Sequence, residues 1–374
     1  VGLHTESLPD FPWDSLIPAR NRAAEYPGAV CDLTIGTPVD DTPELIRTSL
    51  ADASNAHGYP AVIGTDQLRG AIAAWMRRRR GINADVAVLP TIGSKEIVGL
   101  LPAIMGLGPG ARIGVPEVAY PTYDVGVRLA GATAVLVDTD ADPATWPPDL
   151  DLLWLNSPGN PNGHVLGRDQ LREAVAWARR CGVVVASDEC YAELCWDTAE
   201  APSILADDVC GQDASGLLMT YSLSKQSNLA GYRAAWLAGD QTLIAPMIEL
   251  RKHLGFMMPT PVQHAMAVAL ADDGHVTRQR EVYRRRRDTL LAALADAGCE
   301  NDPASVAGLY LWVRAGNAAS WDIVNAFAEL GIVVAPGTFY GKAGDGYVRI
   351  SLTAADATIE EAARRLKRLP DLLS

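Results

Sequence analysis

A chain of 374 residues and 39.8 kDa exceeds the length at which one hydrophobic core keeps growing, so two lobes are expected. Hydrophobic residues at 48% and charged residues at 21% are ordinary for a globular protein and exclude a largely disordered chain. A formal net charge of −13 with a pI near 4.9 argues against a nucleic acid partner, because phosphate backbones call for a positive surface.

In chain order, residues 1–45 are rich in Pro, Asp and Trp and weakly periodic; they are expected to wrap over the body as part of the smaller domain. Residues 46–252 should form the large domain. Within it, short β-branched runs alternate with helical patterns, the signature of βαβ units building a mostly parallel sheet flanked by helices. The expected strands are Arg112 to Val115, Thr133 to Val137, Leu152 to Leu155, Val183 to Ser187, Leu217 to Tyr221 and Ala234 to Ala238. Between the third and fourth, Arg168 to Cys181 places Leu171, Ala174, Val175 and Ala178 on one helical face, with Gly182 as a stop.

Long helical patterns from Gln241 to Gly298 precede short strands at Gly308 to Val313, Ile332 to Ala335 and Tyr347 to Ser351. This change of rhythm predicts a smaller α+β domain over 253–374. The arginine runs Arg77 to Arg80 and Arg284 to Arg287 sit in helical patterns and are expected to be solvated helix surface.

Six scattered cysteines show neither close pairing nor zinc-ligand spacing, so they read as reduced thiols and no metal is expected. No signal-peptide pattern and no membrane-spanning apolar run is evident, which makes the cytoplasm the expected location. Chemistry that needs a primary amine has five lysines to choose among: Lys95, Lys225, Lys252, Lys342 and Lys367.

In an open α/β sheet the ligand sits at the carboxyl ends of the strands. The third, fourth and fifth strands run into Asn156-Ser157-Pro158-Gly159-Asn160-Pro161-Asn162-Gly163, Asp188-Glu189-Cys190-Tyr191 and Ser222-Leu223-Ser224-Lys225. Those ends offer an amide, a carboxylate, a phenol and an amine.

The segment Ser222 to Arg233, SLSKQSNLAGYR, resembles the lysine signature of the fold-type I, class I/II aminotransferases, which use pyridoxal phosphate. Six further motifs occur in the same order: Gly58-Tyr59-Pro60, Thr91 to Glu96, Tyr120 to Tyr123, Asn160 to Gly163, Asp188 to Tyr191 and Arg349. The likeness covers nearly the whole chain. It implies an aspartate aminotransferase-like fold with a large cofactor-binding domain, amino acid and 2-oxo acid substrates, and a homodimer with shared active sites.

The cofactor works by drawing electrons from a substrate Cα into a protonated pyridine ring, so the protein must keep that proton in place. The resemblance assigns this to Asp188, whose plainer reading is a cap on the next element. It assigns Lys225 the covalent link to the cofactor as a Schiff base, and then the proton shuttle at Cα. Asn160 and Tyr191 are implied partners of the cofactor phenolate; read without the family they are a turn residue and a core aromatic. Gly93-Ser94-Lys95 opens an apolar helical run whose free amides suit a phosphate. Ser222 and Arg233 should add a hydroxyl and a forked guanidinium. Tyr59 by resemblance reaches the phosphate of the neighbouring subunit, and Tyr120 should stack on the ring with Tyr123 close behind. Arg349 should pair with the substrate α-carboxylate, and Gly36 fits a position where backbone approaches the substrate. One departure is Asn162, where the family commonly has Thr.

Finer likeness in VLPTIGSKEI, AYPTYDVGVRLAGA, SDECYAELCW, GLYLW and APGTFYG resembles actinobacterial succinyldiaminopimelate aminotransferases of lysine biosynthesis. That resemblance implies amino exchange between N-succinyl-LL-2,6-diaminopimelate and 2-oxoglutarate, with cations beyond Arg349 for the extra carboxylates. Two alternatives stay open. One is another activity on the same scaffold, such as aspartate transamination or a β-eliminating C–S lyase. The other is a non-catalytic cofactor-sensing regulator, which would normally carry a DNA-binding helix-turn-helix; the short acidic N-terminal region leaves no space for one.

Overall fold

The runs Leu152–Asn156 and Leu217–Ser222 are buried at nearly every position because helices cover both faces of the sheet they enter. The architecture comes from a computed structural model, which describes residues 8–373; the first seven positions of the expected 1–45 segment lie outside the described residues.

Strand β1 (Cys31–Asp32) belongs to the smaller lobe. The large sheet is built from β2 (Ala87–Ile92), β3 (Arg112–Pro116), β4 (Thr133–Val137), β5 (Leu152–Asn156), β6 (Val184–Asp188), β7 (Leu217–Ser222) and β8 (Ala234–Gly239). Its order is β2-β8-β7-β6-β5-β3-β4, parallel except for β8, which runs against both neighbours. The six strands expected from sequence are all present, with ends that differ by a residue or so. Strand β2 was not among them, because Pro90 interrupts its run; the strand lies at the sheet edge, where a proline is tolerated. The helix Arg168–Cys181 ends as expected on Gly182, in left-handed conformation with φ 71°.

In the smaller lobe, β9 (Glu300–Asn301), β10 (Tyr310–Arg314), β12 (Ala335–Pro336) and β13 (Tyr347–Ser351) form an antiparallel sheet in the order β12-β13-β10-β9. Strand β11 (Ile332–Val333) pairs in parallel with β1. The N-terminal segment thus enters the smaller lobe, and Leu16, Ala19, Ala23, Cys31 and Leu33 share its core with Phe327, Val348 and Ile350. Helix Thr260–Ala271, in contrast, packs on Glu44–Asp52 and Asp66–Arg80, and Met258, Ala265 and Leu270 join the core of the large sheet. This packing favours a lobe boundary inside the helix Asp273–Asp296, later than the 252/253 division expected.

The arginine runs meet the expectation of solvated surface at Arg77, Arg78, Arg79 and Arg285 and depart from it at three positions. Arg80, Arg286 and Arg287 are buried. Arg80 bonds Glu189 at 2.8 Å, and that carboxylate also accepts from Ser203 Oγ and Ile204 N at 3.0 and 2.9 Å. Arg286 bonds Asp40 and Asp356 at 2.6 and 2.5 Å, and Arg287 pairs with Asp197. A buried guanidinium is retained only when paired. The partners lie far away in sequence, so the helical pattern alone could not reveal them.

His164, just beyond the Asn160 turn, ties that turn to the smaller lobe: Nδ1 lies 2.6 Å from Asp140 and Nε2 3.2 Å from Asp302. Burial alone would lower the imidazole pKa, but the two carboxylates outweigh it and raise it to about 9. A folded-state pKa above the unfolded value gives stability that is complete below the unfolded pKa, near pH 6.5, and is lost as pH rises through about 9. His164→Gln will therefore flatten the stability profile across that window, removing about 1–2 kcal/mol of pH-dependent stability after solvent screening. Urea unfolding of both proteins at pH values spanning the window checks this; parallel profiles would refute it.

Candidate active site

Parallel pairing sets Asn156 beside Asp188, and Asp188 beside Thr220, at the carboxyl ends of β5, β6 and β7. These ends open into a cavity of about 670 Å³ between the lobes. It brings together Gly36, Ser94, Lys95, Tyr120, Asn160, Asp188, Tyr191, Ser222, Lys225, Arg233 and Arg349. Of the expected site residues, Gly93 lies at its wall through Arg233. Tyr59 lies elsewhere, with 97% of its surface exposed, so it takes no part in the cavity of its own chain.

Asp188 is buried and accepts hydrogen bonds from Tyr123 Oη and from the Cys190 amide, both at 3.1 Å. Burial pushes its pKa above the ordinary carboxylate value, against the pull of those donors. Its neighbour Glu189 points to the opposite side, where Arg80 neutralises it. The strand alternation thus leaves one carboxylate paired behind the sheet and one facing the cavity without a salt-bridge partner among the described residues. Tyr123, expected close behind Tyr120, is fully buried, and its hydroxyl holds Asp188.

Lys225 follows β7 on a turn, and its Nζ donates to the main-chain oxygen of Gly36. The glycine is required by contact: a Cβ at Gly36 would fall on the Tyr310 hydroxyl. Four consecutive carbonyls of this segment serve the site. Leu33 accepts from Ser351 N at 2.9 Å, Thr34 from Arg349 Nη2 at 2.5 Å, Ile35 from Thr353 Oγ1 at 2.7 Å, and Gly36 from Lys225.

Arg349 is buried, and its Nη1 donates to Asn160 Oδ1 at 2.9 Å, while its Nε has no partner. Tyr310 lies beneath it, with the guanidinium carbon 3.9 Å from the ring centroid. Asn160 is itself fixed by its amide, which donates to Asn156 Oδ1 at 2.8 Å. In the same turn Asn162 accepts from His164 N at 3.3 Å, so the position that departs from the family pattern still closes the turn with a side-chain acceptor.

At the other end of the cavity, Gly93 caps the helix Ser94–Ile104 with φ 77° and no side-chain cap. Its amide donates to Arg233 O at 2.8 Å, and a Cβ there would collide with the Arg233 guanidinium. Glu96 braces this end by accepting from Ile92 N at 2.7 Å and pairing with buried Arg251. Ser222 Oγ lies 2.8 Å from Ser224 Oγ. The result is a helix N-terminus, hydroxyls and a guanidinium gathered in one place, an arrangement suited to an anion.

Sequence reasoning missed Phe11, Trp13, Arg20 and Tyr310, which also line the cavity. The first three sit in the weakly periodic N-terminal segment. Tyr310 lies within the GLYLW motif, but its role depends on the pairing of β10 with β13: Trp312 opposes Arg349, which sets Tyr310 diagonally beside Arg349 on one face. Among the described residues no cluster of three or more His, Cys, Asp or Glu could hold a metal ion, and no helix is long and apolar enough to cross a membrane.

With this fold and site, the chain belongs to the family "Aminotransferase class I and II", whose model matches residues 29–366. It is a pyridoxal phosphate-dependent aminotransferase of the aspartate aminotransferase-like fold, fold type I. The 4-dedimethylamino-4-oxo-anhydrotetracycline transaminase OxyQ of Streptomyces rimosus is 50% identical over 360 residues, 96% of this chain and 99% of that protein. The probable aminotransferase Rv1178 of Mycobacterium tuberculosis is 50% identical over 366 residues, 96% of this chain and 85% of that protein. Among solved structures, N-succinyldiaminopimelate aminotransferase from Mycobacterium tuberculosis superposes with a TM-score of 0.86 at 28% identity, covering 99% of this chain and 100% of that one.

Proposed function

We propose that the protein transfers the amino group between N-succinyl-LL-2,6-diaminopimelate and 2-oxoglutarate in diaminopimelate and lysine biosynthesis, as a cytoplasmic homodimer. The observation that carries it is Arg349, a buried guanidinium with an unpartnered Nε at the cavity of Lys225 and Asp188. Such a group suits an α-carboxylate, which restores the missing bonds. Arg20, which pairs with Asp32 at 2.6 Å, also lines the cavity and offers a cation to a distal carboxylate. The likeness to the Mycobacterium tuberculosis N-succinyldiaminopimelate enzyme supports this substrate.

The residues present fit pyridoxal phosphate. A buried carboxylate without a cation awaits a protonated ring nitrogen, and the cradle at Gly93 leaves space that a side chain would fill. When bound, the cofactor supplies an electron sink for the substrate Cα. Asp188 holds the proton on the ring nitrogen, while Tyr123 and the Cys190 amide hold Asp188. Asn160 and Tyr191 would bond the cofactor's phenolate oxygen, and Tyr120 would cover its ring. Gly93 to Lys95, Ser222, Arg233 and the partner's Tyr59 would bind the phosphate. Lys225 would anchor the cofactor covalently and, once its amine is free, could take the proton from the substrate Cα. Gly36 lets the backbone approach the substrate.

A second reading is favoured by the 50% identity to OxyQ: amino transfer to a ketone on a bulky ring system, received by Phe11, Trp13 and Ile35 at the cavity lining. A half-reaction panel separates the two. N-succinyl-LL-2,6-diaminopimelate, aspartate and glutamate are offered to the enzyme as purified, and a polycyclic aromatic ketone to the enzyme first aminated with glutamate and freed of it, while the visible absorbance of the cofactor is followed. The first reading requires the succinylated amino acid to react fastest, with Arg349→Ala raising its KM about tenfold to a hundredfold. Strong preference for aspartate, or for the ring ketone, would overturn it.

A further inference from the structure

Tyr310 is a fully enclosed phenol at the meeting point of the groups assigned above, and none of their roles uses it. Its ring lies flat enough beneath Arg349 to bring the guanidinium carbon within 3.9 Å of its centroid, while Tyr340 flanks the same guanidinium at 5.0 Å. Its hydroxyl lies 3.4 Å from Tyr191 Oη and against the Gly36 Cα, the residue whose carbonyl holds Lys225.

We propose that Tyr310 is a positioning residue and internal counter-group for Arg349: its ring holds the guanidinium toward the cavity, and its hydroxyl must stay protonated for Arg349 to accept a substrate carboxylate. This rests on the reading of Arg349 as the carboxylate receptor. A neutral phenol offers Arg349 its π face, which leaves Nε and the second hydrogens of the two Nη groups free for an incoming anion. A phenolate in the same place would satisfy the guanidinium from within and repel that anion.

The surroundings set which form prevails. Burial opposes ionisation, but the cations beside it, Arg349 first and Lys225 while its amine is free, outweigh it, and the Tyr310 phenol falls below its ordinary value. Tyr191, in contrast, is pushed well up, by burial first and then by Tyr310 and Asp188. The other titratable groups facing Tyr310 are Tyr340 and Tyr283, both raised above the ordinary phenol value chiefly by burial. In this cluster of phenols, Tyr310 is therefore the one that gives up its proton first as pH rises.

Glutarate, a dicarboxylate without amino or oxo groups, probes the receptor without turnover. Its binding to the holoenzyme is followed by calorimetry from neutral to alkaline pH, for the wild type, Tyr310→Phe, Tyr310→Leu and Arg349→Gln. The wild type should lose affinity about tenfold as pH rises, and Tyr310→Phe, which keeps the ring but cannot ionise, should lose less than half of that decade. Tyr310→Leu should bind about tenfold more weakly at neutral pH. An alkaline loss in Tyr310→Phe equal to that of the wild type overturns the counter-group role, and wild-type affinity in Tyr310→Leu at neutral pH overturns the ring's role. These outcomes leave the receptor reading standing so long as Arg349→Gln weakens binding; unchanged binding in Arg349→Gln overturns the receptor reading and with it this proposal.

Discussion

Lys225→Ala will yield a protein that releases its cofactor on dialysis and turns over at least about 10⁴-fold more slowly. Among the described residues, the substitution removes the one lysine that both follows a strand of the large sheet and lines the cavity, where its Nζ meets the Gly36 carbonyl. Lys95 also lines the cavity, but it sits on the first turn of the helix Ser94–Ile104, with its Nζ over the Tyr120 ring at 5.8 Å, at the end suited to phosphate. It cannot stand in for Lys225 at the substrate Cα. Borohydride reduction followed by peptide mapping is the check. Cofactor trapped on the variant at wild-type yield would show that another amine carries it.

Asp188→Asn will keep the shape and lose the charge. The Cys190 amide can still donate to the amide oxygen, and Tyr123 Oη, which meets the other carboxylate oxygen, can accept from the new NH2, so the fold should stand, while turnover falls about 10²–10³-fold because no anion opposes the ring cation. A pH signature accompanies the loss. In the cofactor-free protein burial raises the Asp188 pKa above its ordinary value; a raised folded-state pKa means stability that is present at low pH and lost as pH rises through it. A cation in the cavity removes this penalty. The Tm gain on adding cofactor should therefore be larger at neutral than at acid pH in the wild type and independent of pH in Asp188→Asn. Equal pH dependence in both proteins would show that the carboxylate does not face the ring nitrogen.

Much of the large lobe was legible because parallel strands buried on both faces leave continuous apolar runs, and because each run ends in a residue with chemistry to offer. The strand ends drew attention to Asn160, Asp188 and Lys225, whose roles came from the family resemblance, and the structure gathers them in one cavity. Strand β2 was hidden by Pro90, which only an edge position explains. The arginine runs misled at their buried positions because a helix pattern reports the face of a residue and not its partner: Arg80 meets Glu189 across 109 positions. Tyr310 was hidden for a related reason, since its neighbour Arg349 arrives through antiparallel pairing of strands whose separation in sequence is filled by a helix.

The four carbonyls from Leu33 to Gly36 hold their partners through atoms that every residue possesses. Mutation can therefore redecorate the exposed positions of this stretch, such as Ile35, and the Phe11 to Arg20 region before it while the grip on Arg349 and Lys225 persists, whereas Gly36 is held by its contact with Tyr310. A lineage built on this scaffold can exchange one substrate for another by altering the outward groups of a strap whose main chain stays in register. Relatives sharing half their residues with this chain can thus keep the same reaction and diverge in what they accept.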